Sequence, residues 1–193
     1  MQLLRLVRPA LVLVTLALAA VSLAPARGTS GAAAAAGSAG DAQVARGRYL
    51  VTITGCNDCH TPGTFYGAPD AERFLAGSEL GWAGPWGVVY AANLTPDPET
   101  GLGKWKPEEI AKTIRTGNRP DGRQLAGAMP WLDYANLTDA DAMAIASYLR
   151  TLKPVRHAVP KPLPPGTEAK GPTLAFPPPS AWDAPRAAAG EKK

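Results

Sequence analysis

Cysteine and histidine are scarce in this chain, which contains 193 residues and only two of each. Because a structural zinc site takes four ligands, it would need every cysteine and histidine in the sequence. Cys59 and His60 are adjacent, which makes them poor partners around one tetrahedral ion. The sequence therefore disfavours a zinc protein.

An excess of charge is also lacking over most of the chain. The net charge is +4, but residues 1–40 contain three arginines and no acidic residue. Residues 41–193 then carry 17 basic and 16 acidic groups, without a dense Lys/Arg stripe. Nucleic-acid-binding proteins usually show such a stripe, so nucleic acid is not an expected partner.

The alternation of apolar and polar residues that marks a half-buried strand is absent over any useful length. Three helices are expected instead. The first covers about residues 42–53 after a cap at Asp41, the second opens at Pro107, and the third follows Thr138 with apolar residues at helical spacing. These elements, joined by long loops, predict an all-α fold with about three main helices.

Residues 1–26 have the order of a secretory signal peptide. Arg5 and Arg8 precede an apolar run over residues 10–24, and the small-residue string Ala-Pro-Ala closes it. This run is shorter than the roughly 20 apolar residues that span a bilayer. The segment therefore predicts export from the cytoplasm, with membrane contact only if it is retained.

Low-complexity sequence flanks the central part of the chain. Residues 27–41 are rich in Gly, Ala and Ser, which predicts a flexible linker. Residues 156–193 contain the strings KPLPPG and FPPPS, and proline cannot continue a regular helix. One domain is expected between them, over residues 42–155, followed by a Pro-rich tail.

The string CNDCH at residues 56–60 holds both cysteines and one of the two histidines. A redox disulfide between Cys56 and Cys59 is one hypothesis for an exported protein, but a thioredoxin-like site needs strands around it. The alternative uses every residue, because two thiols three positions apart can form thioethers with the two vinyl groups of a haem. The imidazole of His60 then lies beneath the iron, and C-x-x-C-H is the signature of such attachment. One string predicts one covalently attached haem c per chain.

The iron needs a second axial ligand, usually methionine or histidine. Met143 falls on the third predicted helix, and His157 begins the Pro-rich tail. Met129 precedes Pro130, which biases the backbone before it towards extended geometry, so Met129 belongs to a loop. A loop can direct a thioether sulfur across a haem face, which makes Met129 the preferred candidate.

Four strings follow one another along residues 42–155: GRYLV with CNDCHTP, NLTPDPETGLGKW, RTGNRPDGRQLAGAMPW and LTDAD. Together they resemble monohaem class I cytochrome c domains, and in particular the cytochrome subunits of bacterial periplasmic dehydrogenases of alcohol and aldehyde oxidation. The resemblance implies a class I cytochrome c fold with long loops around one haem. It implies thioethers at Cys56 and Cys59. It also implies that His60 and Met129 are the axial ligands of the iron.

The resemblance has further structural consequences. It implies that the first and last helices cross near Gly47, and that the second ring nitrogen of His60 donates to a backbone carbonyl. Lys106 departs from the pattern, because such domains often have Ser or Thr as the cap of that helix.

Asn93 and Asn136 begin Asn-Leu-Thr strings that match glycosylation sequons, but a structural role is preferred for both. The candidates to flank the ring or pair with its propionates are Trp82, Trp86, Trp105, Arg119 and Arg123.

With both axial positions filled, the iron has no place for a substrate, which predicts an electron carrier rather than an enzyme. The predicted function is a periplasmic electron-transfer cytochrome, either free or a subunit of an oxidoreductase complex. Its donor is predicted to be a dehydrogenase and its respiratory acceptor a cytochrome or oxidase. Two alternatives stay open: a haem enzyme or gas sensor with a displaceable distal ligand, and a structural subunit that docks through its tail.

Overall fold

Five α-helices form most of the regular structure in residues 30–177, the part of the chain that the computed structural model describes. They are α1 (Ser30–Ile53), α2 (Cys56–His60), α3 (Pro107–Thr116), α4 (Trp131–Tyr134) and α5 (Asp139–Thr151). Two 3-10 helices cover Thr64–Tyr66 and Ala71–Arg73. None of the helices in this part of the chain combines the length and the hydropathy of a membrane span. The predicted signal peptide, residues 1–26, lies outside the described residues.

Helix α1 begins at Ser30, inside the segment that the sequence predicted to be a flexible linker. The structure therefore differs from the prediction over residues 30–41. The physical reason is a run of five alanines at residues 32–36, because alanine has the highest intrinsic helix propensity. The low complexity that suggested a linker is also compatible with a helix.

Helices α1 and α5 pack against each other, and Gly47 lies at their closest approach. A Cβ atom built at Gly47 would lie 1.9 Å from the carbonyl oxygen of Ala144, so any larger residue would clash with the α5 backbone. This is the crossing that the resemblance implied. The buried apolar core around it includes Leu50, Val51, Ile110, Ile145 and Leu149.

The starts of α3 and α5 are stabilised in different ways. At α5 the hydroxyl of Thr138 accepts a hydrogen bond from the backbone N–H of Asp141 at 3.1 Å, as its capping string predicts. At α3 the residue before the helix is Lys106, which has no oxygen to cap it. Its backbone N–H instead donates to Oε2 of Glu109 at 2.8 Å. The departure at Lys106 therefore does not move the start of α3 from Pro107.

A small sheet of three strands adds to the helices, with the order β2-β1-β3. Strands β1 (Gly81–Gly84) and β2 (Gly87–Tyr90) form an antiparallel hairpin. Strand β3 (Thr173–Ala175) runs parallel to β1 and pairs Leu174 with Trp82. Because this sheet is present, the expectation of an all-α fold is not confirmed. Strands of three or four residues are too short to show a pattern of alternation, so the sequence did not reveal them.

Residues 156–177 belong to the predicted Pro-rich tail, and they pack along the domain. We call them the C-terminal strap. Strand β3 is part of this strap, and a second pairing joins Leu163 to Val88. These residues contain no helix, as their prolines require. The strap therefore brings the tail next to the hairpin β1–β2.

Candidate haem-binding site

A cavity of about 450 Å³ lies between α2, the hairpin β1–β2, the loop before α4, and the apolar faces of α3 and α5. This volume falls within the roughly 300–1,000 Å³ of sites for small molecules and cofactors. Apolar side chains from two helices, including Ile110, Ile114 and Leu149, form part of its wall. All the residues predicted for the site also line it: Cys56, Cys59, His60, Trp82, Trp86, Trp105, Arg119, Arg123 and Met129.

Helix α2 places the two cysteines one turn apart. It follows Gly55, whose φ of 68° lies in the left-handed region that glycine adopts most easily. Both cysteines are half-buried free thiols. Burial raises the pKa of Cys56, and burial together with the charge of Asp58 raises the pKa of Cys59 to about 11. At neutral pH both groups are therefore thiols, whereas thiol–disulfide exchange and metal binding need the thiolate.

His60 ends α2 and is 8% exposed. Its Nδ1 lies 2.7 Å from the carbonyl oxygen of Ala92. Since a carbonyl oxygen can only accept, Nδ1 carries the proton and Nε2 keeps its lone pair. Burial lowers the pKa of His60, and the hydrogen bond to Ala92 only partly opposes this. The side chain is therefore a neutral imidazole with Nε2 available as a metal ligand, oriented by the bond that the resemblance implied.

The carbonyl group of Ala92 is positioned by its neighbour Asn93, which is 1% exposed. The Nδ2 of Asn93 donates to the carbonyl oxygen of Val155 at 2.7 Å. Its Oδ1 accepts from the backbone N–H of Thr95 at 2.9 Å. A side chain this deeply buried is not a glycosylation acceptor, so the structural interpretation of this Asn-Leu-Thr string is correct. Sequence reasoning missed its contribution to the orientation of His60, because that contribution requires contacts with residues far away in the chain.

Met129 lies in the loop before α4, as its position before Pro130 predicts. Its backbone N–H donates to the carbonyl oxygen of Ala126 at 3.0 Å, and its own carbonyl oxygen accepts from Trp131 at 2.7 Å. Met143 instead lines a separate pocket bounded by α3, α5 and Ala135. Among the methionines of the described residues, Met129 alone lines the large cavity.

His157, the other candidate ligand, is not among the residues that line the cavity. Its Nδ1 donates to the carbonyl oxygen of Ala76 at 2.8 Å, and its Nε2 lies 2.7 Å from Oε1 of Glu79. Its side chain is 12% exposed. Both ring nitrogens are thus engaged by the protein, and His157 anchors the start of the strap.

Two guanidinium groups stand in the cavity wall with one carboxylate between them. Arg119 lies over the ring of Trp105, with 4.9 Å from its Cζ to the ring centroid, and its Nε donates to Asp121 at 3.2 Å. Burial and the positive charge of Arg119 lower the pKa of Arg123. A lowered pKa means that the local environment disfavours the second cation, so an anionic group bound here would be stabilised. Haem propionates are anions of this kind.

Tyr134 and Pro162 are among the cavity residues that were not predicted from the sequence. Tyr134 follows Met129 in the short helix α4, and its hydroxyl donates to the carbonyl oxygen of Thr54 at 3.0 Å. Burial and the nearby Cys56 raise the pKa of Tyr134 to about 12, so it is a neutral donor. Pro162 belongs to the strap and reaches the cavity only through tertiary packing. The position of Tyr134, five residues after Met129, could have indicated from the sequence that it lies near the cavity. No local pattern indicates that Pro162 lines it.

The donor set fits haem c in each chemical respect. Two protonated thiols lie one helical turn apart, a neutral imidazole presents Nε2, and a thioether lines the same cavity. The remaining wall is apolar and aromatic, with two cations for acidic substituents. These features define the site of a c-type cytochrome.

The comparison with protein families agrees with this site. Residues 42–149 match the family described as cytochrome c oxidase, cbb3-type, subunit III, and the match covers more than half of the 193 residues. The chain belongs to this family of cytochromes.

Several similar proteins are subunits of dehydrogenases. The chain is 36% identical over 124 residues to a nicotinate dehydrogenase subunit of Pseudomonas putida, covering 64% of this chain and 10% of the relative. It is 36% identical over 124 residues to the cytochrome c subunit of alcohol dehydrogenase (quinone) of Gluconobacter oxydans, covering 64% and 24%. It is 38% identical over 119 residues to the fructose dehydrogenase cytochrome subunit of Gluconobacter japonicus, covering 61% and 23%. The match thus spans between a tenth and about a quarter of these longer proteins.

Proposed function

We propose that this protein is a c-type cytochrome of class I that transfers single electrons. In this proposal Cys56 and Cys59 bear the thioethers of one haem c, and His60 and Met129 are the axial ligands. The observation that carries the proposal is that these four side chains line one cavity, whereas Met143 and His157 do not. The haem supplies the centre that accepts and releases one electron.

The side chains of the protein position and insulate that centre. The hydrogen bond from His60 to Ala92 fixes the tautomer and the orientation of the imidazole. The apolar wall excludes water, and a thioether ligand favours the reduced state of haem iron. Arg119 and Arg123 provide cations for the propionates. With two protein ligands assigned to the iron, the site is arranged for electron transfer rather than for binding a substrate.

The names of the relatives support a dehydrogenase as the electron donor. We infer that the chain works in the periplasm, because residues 1–26 have the order of an export signal. The acceptor would be a respiratory cytochrome or oxidase. The nearly balanced charge of residues 41–193 disfavours steering by a global field, so docking would use a local surface near the haem edge. Weak redox encounters of this kind usually bury less than about 1,200 Å².

The ligand assignment is tested by spectroscopy of the full-length protein, produced in a host that attaches haem c in the periplasm. We expect one haem per chain by pyridine haemochrome analysis. Met129→Ala should abolish the near-infrared band of sulfur-to-iron charge transfer in the oxidised protein. Met143→Ala is the matched control and should retain the band. Loss of the band in Met143→Ala, with retention in Met129→Ala, would refute the assignment.

The proposed role is tested by stopped-flow reduction with a periplasmic dehydrogenase. Rapid reduction of the haem with modest dependence on salt would support the carrier. The gas-sensor alternative makes the opposite prediction: no reduction by the donor, and tight binding of carbon monoxide to the resting ferrous protein. Deletion of residues 2–24 tests the location, since the cytoplasmic protein should then lack covalent haem.

A further inference from the structure

The C-terminal strap packs on the same hairpin that carries two cavity tryptophans. The strap comprises residues 156–177, whereas the match to the cytochrome family ends at residue 149. Family membership therefore assigns it no function. The strap nevertheless makes several contacts with the domain next to the cavity.

The strap is fixed to the domain at three points along its length. At its start, His157 is held by Ala76 and Glu79 through both ring nitrogens. In the middle, the backbones of Leu163 and Val88 exchange two hydrogen bonds of 2.8 and 3.0 Å. At its end, β3 pairs with β1, and the N–H of Phe176 donates to the carbonyl oxygen of Ala83 at 2.8 Å.

The hairpin is shaped to receive the strap. Gly87 has a φ of 92°, and a Cβ atom built there would lie 2.1 Å from the carbonyl oxygen of Leu163. A Cβ atom at Gly81 would lie 3.0 Å from Cγ2 of Thr173. At Gly87 the backbones of hairpin and strap therefore approach each other so closely that only glycine leaves room, and at Gly81 a larger residue would crowd the side chain of Thr173.

Phe176 links the strap to the cavity wall. Its ring centroid lies 5.3 Å from that of Trp86, edge to face, and 6.0 Å from that of Trp82. Both tryptophans line the cavity, and the indole N–H of Trp86 donates to the carbonyl oxygen of Trp82 at 3.0 Å. Phe176 thus packs against both rings, next to the edge of β1 with which the strap pairs. Pro162 of the strap lines the cavity directly.

We propose that the strap is a positioning element that holds Trp82 and Trp86 against the haem edge and excludes water there, with Phe176 as its principal contact. This inference rests on the proposed function, since it needs haem in the cavity. Oxidised haem iron carries one more positive charge than reduced iron, so water at the haem edge stabilises the oxidised state. Excluding that water raises the reduction potential, which solvent exposure and the apolar shell are known to set.

Two truncations and three point variants test the strap. A chain that ends at residue 177 keeps the strap intact, and a chain that ends at residue 171 lacks β3 and Phe176. Phe176→Ala removes the ring alone, and Phe176→Tyr restores it. Phe74→Ala is the matched control, because Phe74 is 40% exposed against 39% for Phe176 and makes no ring contact with Trp82 or Trp86 in the described residues.

Haem content is measured first, by pyridine haemochrome analysis, and the reduction potential next, by spectroelectrochemical titration. We expect the chain ending at 171 to have a lower potential than the chain ending at 177, by about a tenfold change in the ratio of oxidised to reduced haem, or ~59 mV for one electron. Phe176→Ala should also lower the reduction potential, but by a smaller amount. Phe176→Tyr and Phe74→Ala should keep the potential of the unmodified protein.

The outcomes separate the strap from the proposed function. Absence of covalent haem from the unmodified protein would refute the proposed function. Normal haem content with an unchanged reduction potential in Phe176→Ala would refute the proposed role of the strap. If the chain ending at 171 binds no haem, the point variants decide, because they leave the backbone pairing of β3 in place.

Discussion

The two sides of the cavity that hold the proposed axial ligands, His60 on the proximal side and Met129 on the distal side, are stabilised in different ways. On the His60 side, polar side chains are deeply buried and bond over long sequence distances, as Asn93 does with Val155. On the Met129 side, the loop is half-exposed, and the backbone bonds of Met129 reach only Ala126 and Trp131. Buried hydrogen bonds between distant residues therefore fix the loop that orients His60, whereas the backbone of Met129 itself is hydrogen-bonded to near neighbours in the chain. The difference teaches that the distal side should open first when the fold is perturbed.

Loss of Cys56 and Cys59, the proposed thioether residues, has the largest expected effect. It removes the covalent attachment of the haem on the proximal side. In Cys56→Ser combined with Cys59→Ser, acid–acetone should extract all the haem, because serine hydroxyls form no thioether. Met129→Ala should keep its haem through the same extraction, since the distal ligand is not a covalent anchor. Haem that stays on the double variant would contradict the proposed attachment.

The buried amide of Asn93 should matter next. Asn93→Ala leaves the buried N–H of Thr95 without its acceptor and removes one of the two donors to the carbonyl oxygen of Val155. We expect a loss of unfolding free energy on the order of 3 kcal/mol, measured by urea denaturation of the holoprotein.

Asn136 is the matched control for this prediction, because it begins the other Asn-Leu-Thr string. It is exposed, and its Nδ2 donates to the carbonyl oxygen of Asp133 at 3.1 Å. Asn136→Ala should change stability by less than about 1 kcal/mol. Equal losses in the two variants would remove the contrast between a buried proximal loop and an exposed distal one.

A change at Gly117 should loosen the distal side without touching a ligand. Gly117 ends α3 with a φ of 70°, and a Cβ atom built there would lie 2.6 Å from the ring of Trp131. Gly117→Ala should shift Trp131 and the adjoining Met129 loop, at a cost of about 1–3 kcal/mol. The ferrous variant should bind carbon monoxide faster than the unmodified protein, as measured by flash photolysis.

Gly122 is the control for this substitution, because it also has a positive φ, of 79°, but no atom lies within 4 Å of a Cβ built there. Gly122→Ala should carry the backbone strain without displacing Trp131. If both variants bind carbon monoxide at the same rate, packing of Trp131 does not hold the Met129 loop.

The smallest expected effect concerns pH and the proximal loop. Hydrogen bonds from the hydroxyl and N–H of Thr100 lower the pKa of Asp97. The folded state then binds fewer protons than the unfolded state near the ordinary pKa of about 3.9. The contribution of Asp97 to stability is therefore present above that pH and lost as pH falls through the folded pKa. In Asp97→Asn the melting temperature, followed by circular dichroism, should fall less steeply between about pH 4 and pH 2 than in the unmodified protein.

The site was more predictable from the sequence than the fold around it. CNDCH is a local string, and α2 delivers its three functional side chains from one helical turn. The position of Met129 before Pro130 predicted that it lies in a loop, and the structure places it in the loop before α4. Helix α5 was predictable because its cap at Thr138 and its apolar spacing are local signals.

The tail shows where local reasoning fails. The Pro-rich composition of residues 156–193 predicted a tail that follows the domain and contains no regular helix. Local reasoning did not show that residues 156–177 pack on the domain, because this packing depends on pairing with the distant hairpin. The sheet escaped prediction for the same reason, since β3 pairs with a hairpin about 90 residues away in the chain. Likewise, the alanine run of α1 had two compatible conformations, and composition alone favoured the wrong one.

The sequence by itself determined the chemistry of the protein: two thiols at haem spacing, the imidazole after them, and a loop methionine. Those properties depend on covalent order and on local backbone preferences, which a short string specifies. The tertiary structure decided what surrounds these groups. The neutral state of His60, its orientation by Ala92, and the packing of Phe176 against Trp82 and Trp86 all arise from contacts between distant segments. Such contacts depend on burial, which no local pattern records.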